Sequence, residues 1–173
     1  MDGRKPELTL RRGWTTGACA TAAAAAALGG LLRGRFPKHI TIELPRGQTP
    51  TFSLEKTRLA DGVAMASVIK DAGDDPDVTH GAEIIVEVRH GAPGSGVAFE
   101  AGVGVGTVTL PGLPLAVGEP AINPAPRQII IDNLTKVAKA HNIAADVVVR
   151  ISIPGGETLA EKTMNGRLGI QGG

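Results

Sequence analysis

The chain opens polar through residues 1–12 and then becomes an almost unbroken run of small apolar residues from Ala18 to Leu32. Alanine is the best helix former, and Thr15 and Thr16 stand ahead of the run where capping residues belong. The pattern predicts a first helix, weakened at its far end by Gly29 and Gly30, with Leu31 and Leu32 adding a turn before Gly34. The period then changes to two. HITIEL (39–44) alternates, PRGQ (45–48) turns the chain and PTFSLEK (50–56) returns, which predicts a hairpin. GVAMASVI (62–69) reads as a third strand and AEIIVEVRH (82–90) as a fourth. Between them lies KDAGDDPDVTHG (70–81), broken by Gly73 and Pro76, so a sheet would hold both ends of an acidic loop.

A glycine-rich link (91–96) precedes VAFEA (97–101) and GVGVGTVTL (102–110). Gly102, Gly104 and Gly106 do not match G-x-G-x-x-G, and no helix follows at once, so close backbone approach or a bulge accounts for them better than a dinucleotide loop. After a proline-punctuated stretch, Asn123 and Pro124 open a second helix over about 125–140, with Ile129, Ile130, Leu134, Val137 and Ala138 as its apolar stripe. DVVVRISI (146–153) is a central strand, PGG a tight turn, 157–164 a short helix and NGRLGIQGG the end. This order is no repeating βαβ series and shows no internal repeat. It predicts an α+β fold with a mixed, mostly antiparallel sheet packed with the Ala-rich N-terminal helix and a second long helix.

Composition narrows the function classes. At 173 residues one domain is expected, and a net charge of +1 gives no general attraction to nucleic acid. With no tyrosine, one tryptophan and three phenylalanines, platforms for base stacking are few. The single Cys19 excludes an internal disulfide and fits a reducing cytoplasm. Arg11 and Arg12 before an apolar run imitate an export signal, but that run is about fifteen residues, mostly alanine, and too short to span a bilayer. No membrane partner is expected, and homo-oligomerisation stays open.

The acidic loop carries the densest chemistry. Asp71, Asp74, Asp75 and Asp77 fall within seven residues, joined by Lys70, Thr79 and His80. Carboxylates this close push their pKa values apart, so one can stay protonated and donate, and His80 titrates in the working range. Asp71, Asp74, Asp75 and His80 are therefore the candidate acid–base groups. The competing account is organisational, with the aspartates tying down backbone and arginines such as Arg127 or Arg167. An EF-hand register from Asp75 puts His80 where glycine is needed and Val86 where glutamate is needed, so no metal site is assigned. Thr15, Thr16 and Gly17 start a helix with no acidic residue in its first turn, which makes an anion site from free N–H groups and the helix dipole, or simply a capped helix. One turn further, Cys19 reads better as small buried filler than as a nucleophile.

KDAGDDPDVTHG resembles the signature of the CbiD family, and three other stretches agree in order: GWTTGACATAAA, GVGTVTLPGLPLAVGEPAINPAPR and PGGETLAEKTMNGRLGIQGG. The chain departs from the family's usual pattern at Trp14, Ala18, Leu110 and Gly166, where tyrosine, threonine, lysine and proline are common. The resemblance implies a cytoplasmic enzyme of anaerobic cobalamin biosynthesis that moves a methyl group from S-adenosylmethionine to C1 of cobalt-precorrin-5B, a small-molecule substrate. A precursor rimmed with carboxylates would meet Lys70, Arg127, Arg167 and the Thr15–Gly17 helix start rather than the acidic loop. The resemblance covers only about the family's first half. Residues 1–165 are expected to form its N-terminal domain and 166–173 a hinge into a second domain, absent here, that holds most of the S-adenosylmethionine site; alone, the chain is expected to be inactive. The rival from another class is a non-catalytic corrinoid or tetrapyrrole-carboxylate-binding module.

Overall fold

The computed structural model describes residues 13–71, 81–109, 111–112, 115–155 and 170–171. Helix α1 spans Thr16–Arg33 and helix α2 Pro124–Ala140. The strands are β1 (His39–Thr41), β2 (Thr51–Ser53), β3 (Lys56–Ala60), β4 (Val63–Ile69), β5 (Glu83–His90), β6 (Val97–Ala101), β7 (Thr107–Val108), β8 (Val147–Ser152) and β9 (Ile170–Gln171). Among the described residues the main sheet runs β3-β4-β5-β8-β6, antiparallel throughout except for the parallel β8–β6 pair. β1 with β2 and β7 with β9 form two small antiparallel ladders. The expected α+β fold with a mostly antiparallel sheet is what the chain adopts.

The alanine helix lies at the centre of the packing. Its thirteen residues from Ala18 to Gly30 are all buried, on every side of the helix, as expected of a helix covered all round rather than along one stripe. It packs on β4 and β5 with one side and on α2 with another. The sheet meets it with alternate residues: Ala64, Ala66 and Val68 from β4, Ile84, Val86 and Val88 from β5, and Val147, Val149 and Ile151 from β8. Methyl-sized side chains let two layers close on one helix without a gap. The two glycines do not end the helix. A Cβ at Gly30 would run into the Phe36 ring, so this glycine admits an aromatic against the helix. The helix stops at Gly34, which takes the left-handed φ of 81° and returns its N–H to Gly30 O at 2.8 Å.

The hairpin expected over 39–56 forms, with Gly47 at φ 86° in its turn. Its return run ends at Ser53, however, and Lys56–Ala60 is a separate strand paired with β4. Asp61 and Gly62 both have positive φ, 54° and 75°, as the two-residue type I′ hairpin turn requires. Helix α2 follows Asn123 with Pro124 at its first position. Its stripe buries Ile130, Leu134 and Ala138, and with them Asn133. Asn133 is a buried amide that copies a strand edge: its Oδ1 accepts from Glu43 N at 3.0 Å and its Nδ2 donates to Glu43 O at 2.9 Å. That exchange fastens α2 to the chain leaving β1. The expected helix at 157–164 lies outside the described residues.

Because Ala23 is fully buried in α1, Ala23→Leu forces four-carbon bulk between layers already in contact. A loss of about 2 kcal/mol is expected, the usual scale of core overpacking. Denaturant titration checks it, with Ala140→Leu, at an exposed site on α2, expected to stay within about 0.5 kcal/mol of the parent.

Candidate functional site

The start of α1 is where distant parts of the chain meet. Thr15 is the cap, its Oγ1 accepting from Ala18 N at 3.0 Å. Immediately before it, Trp14 N–H donates to Asp71 O at 3.0 Å. Asp71 follows β4, and the chain is pinched there: Lys70 N donates to Ala82 O and Gly81 N to Lys70 O, both at 2.8 Å. The ends of the acidic segment are thereby fastened to each other and to the helix start. Lys70 is buried at this neck. Thr15, Thr16, Gly17, Lys70 and Asp71, separated by more than fifty positions in sequence, share one corner of the fold. Asp74, Asp75, His80 and Arg167 lie outside the described residues.

Two cavities flank this corner. One, of about 380 Å³, is lined by Trp14, Phe52, Ser53, Glu55, Ile69 and Asp71 among others. Trp14 packs edge-on to Phe52 within it, ring centroids 6.4 Å apart. The other, of about 180 Å³, lies between the starts of the two helices, with Thr16, Gly17 and Ala20 facing Asn123 and Pro126 over an apolar floor that includes Ile130 and Ile151. A Cβ at Gly17 would come within 3.2 Å of Pro126 Cβ, so glycine lets the helix starts approach. Neither helix has an acidic residue in its first turn, and Asn123 makes no side-chain cap bond. Both positive helix ends are thus unneutralised by their own first turns.

Arg127 lies on α2 beside the smaller cavity, and its donors point back into its own chain. Nε donates to Ile122 O at 2.7 Å, Nη2 to Pro120 O at 2.9 Å and Nη1 to Glu119 Oε1 at 3.3 Å. The organisational account of the acidic loop named Arg127 as an aspartate partner; among the described residues its ionic partner is Glu119. Sequence reasoning did not include Trp14, Ala121, Ile122 or Asn123 among the site residues. The Asn-Pro helix start was readable at 123–124, but nothing local says that it faces α1.

Cys19 is fully buried. Burial pushes its thiol up to about 11 from an ordinary 9.0, outweighing the lowering by the Lys70 charge, while Asp71 adds to the rise. The helix start does not make a reactive thiolate of it; it fills space. Below pH 9 both folded and unfolded chains keep the thiol. Between pH 9 and about 11 only the unfolded chain ionises, so stability is lost as pH rises through that window. Removing the thiol as Cys19→Ala is expected to abolish a loss of roughly 2–3 kcal/mol over that window, read from denaturation midpoints of both proteins at pH 8 and pH 11. Equal alkaline losses in the two would contradict it.

Comparison with known proteins gives the chain its family. The CbiD family model matches residues 3–173. The chain belongs to the CbiD family. It is 57% identical over 167 residues to a cobalt-precorrin-5B C(1)-methyltransferase of Paramagnetospirillum magneticum, covering 96% of this chain and 47% of that protein. The protein of the same name from Brucella anthropi is 57% identical, covering 95% and 45%, and that from Agrobacterium fabrum 58% identical, covering 95% and 43%. The crystal structure of a cobalamin biosynthesis protein, cbiD, from Archaeoglobus fulgidus superposes with a TM-score of 0.72 at 35% identity, covering 95% of this chain and 51% of that one. This CbiD-family chain therefore spans about half the length of the relatives it matches. Among its described residues no helix is long and apolar enough to cross a membrane.

Proposed function

We propose that this CbiD-family chain is the substrate-holding part of a cobalt-precorrin-5B C1-methyltransferase of anaerobic cobalamin biosynthesis, with S-adenosylmethionine as methyl donor and the cytoplasm as its compartment. The observation that carries the reading is the identity of 57–58%, over nearly the whole chain, to three proteins of that name. Those names give no support to the rival binding-module reading.

Methyl transfer depends chiefly on holding donor and acceptor in line, so the chemistry asked of these residues is grip. We assign Thr15, Thr16, Gly17, Lys70 and Arg167 to the carboxylate rim of the macrocycle. The helix start offers N–H groups and a positive dipole end, and Lys70 stands at the adjoining neck. Asp71, Asp74, Asp75 and His80 are assigned to proton handling at the ring.

The described residues do not fit a donor site. Gly102, the first glycine of a stretch that imitates a nucleotide-binding loop, is occupied by packing: a Cβ there would run into Ser152 and lie 2.8 Å from Ile151 O. The stretch leads into β7 rather than into a helix. We therefore place the donor outside 1–165, in residues the relatives carry beyond the span they share with this chain, with 166–173 leading towards them.

Two outcomes are expected. In the complete methyltransferase, Asp71→Asn and Asp74→Asn keep their thermal midpoints while turnover, followed by transfer of a labelled methyl group to cobalt-precorrin-5B, falls at least ~100-fold, the lower range for a positioned acid–base group. Wild-type turnover in both removes the acid–base assignment, and unfolding of both makes the loop structural. Calorimetric titration of the 173-residue chain with S-adenosylmethionine is expected to show no micromolar binding; micromolar binding would put the donor site here.

A further inference from the structure

We propose that Arg127 is a positioning residue: its guanidinium fixes the Glu119–Asn123 wall of the smaller cavity, and it serves the ring-binding corner through that wall rather than by touching the ring. This rests on the reading that the corner at the start of α1 holds the macrocycle. By charge alone Arg127 belongs with the rim-binding cations, and the geometry is what removes it from them.

The segment needs such a clamp. Pro120, Pro124 and Pro126 have no N–H to donate, so few ladder bonds can hold this stretch. Its backbone is tied by Val108 N to Glu119 O at 2.9 Å and by Ala121 N to Gly106 O at 2.8 Å. Arg127 adds the bonds to Pro120 O and Ile122 O, one on each side of Ala121. It also holds Glu119, whose other oxygen accepts from Ala116 N at 3.0 Å, so the clamp reaches back through the preceding turn. From the other direction, the guanidinium carbon lies 5.3 Å from the Phe99 ring centre on β6, within cation–π range. The side chain is 18% exposed. Ala121, Ile122 and Asn123, the residues so placed, line the cavity opposite Thr16 and Gly17. A substrate carboxylate reaching for this guanidinium would have to compete with a carboxylate and two carbonyls already in place.

A fork with three directed donors is something lysine does not reproduce, although lysine keeps the charge. That difference separates positioning from direct contact. The test compares Arg127→Lys, Arg127→Gln, Glu119→Gln and the Arg127→Lys/Glu119→Gln double variant. Affinity is measured by absorbance titration with cobalt uroporphyrin, a carboxylate-rimmed metallated tetrapyrrole, and amide exchange at Ala121 and Ile122 is followed in the ligand-free proteins. Positioning predicts that Arg127→Lys loses affinity as fully as Arg127→Gln, on the order of tenfold, the scale of one lost directed hydrogen bond. It predicts that Glu119→Gln weakens binding in the same direction, that the double variant loses less than the two singles combined, and that exchange at 121–122 quickens in each. Near-parent affinity in Arg127→Lys, or tighter binding in Glu119→Gln because the guanidinium is released, overturns the proposal. Glu119→Gln decides alone if the Arg127 variants do not fold. A parent protein that does not bind the tetrapyrrole, with exchange at 121–122 still governed by Arg127, overturns the functional reading and with it the role in ring binding, leaving a loop clamp.

Discussion

Burial of α1 on all sides is the constraint from which the rest of this structure follows. A helix in contact with β4, β5 and α2 at once must carry side chains small enough for the layers to close, and a run dominated by alanine meets that condition. Each methyl group contributes little area on its own, and aromatics make up only 2% of the chain. Cohesion here comes from close approach over many small contacts, which interiors reward because dispersion falls away steeply with distance. Such a helix cannot slide or roll without opening a gap along its whole length.

A helix held in this way supplies a fixed reference point at its first turn. Trp14 ties the neck of the acidic segment to it through one backbone hydrogen bond, and Gly17 brings the start of α2 against it. The asymmetry of the corner is electrostatic. Two helix ends contribute positive potential, while Asp71 contributes a carboxylate on the flank nearer Trp14. On the reading proposed above, a ligand with an anionic rim would be drawn to the helix-start flank and kept from the other, which would orient it as well as bind it. Orientation is what an in-line methyl transfer needs from the protein that holds the acceptor.

Much of this was legible in the residues. Alternation over 82–90 and 146–153 marks strands, and the alanine run with its threonine cap and the Asn123–Pro124 start mark the helices, because burial imposes those periods directly. Strand β3 was not read, since all five of its residues are exposed and no alternation survives; the signal that could have revealed it is the Asp61–Gly62 turn. The candidate site was legible only as separate pieces. Thr15–Gly17 and Lys70–Asp71 each announce themselves, but their meeting depends on where α1 lies on the sheet, which no local pattern encodes. Arg127 advertises its charge, whereas its acceptors are mostly backbone carbonyls, and a sequence does not show where a carbonyl points. Cys19 was readable as small buried filler in the alanine run, and its burial outweighs the neighbouring Lys70 charge and raises the thiol.

If this corner holds the macrocycle, cavity size limits how much of it these residues can enclose. Pockets that enclose a drug-sized molecule run to about 300–1,000 Å³, and a tetrapyrrole with its carboxylate arms is larger than such a molecule. The two cavities at the corner hold about 380 and 180 Å³, and the first turn of α1 stands between them. Neither can take a macrocycle whole, and the rigid helix keeps them from merging. On the reading proposed here they receive the ring's edge, arm by arm, while its face rests on something else. Covering that face, and excluding water from the reacting carbon, then falls to residues outside the described span. An acceptor gripped by its rim leaves the face open to a donor approaching perpendicular to the ring, the direction from which a methyl group must reach a trigonal carbon.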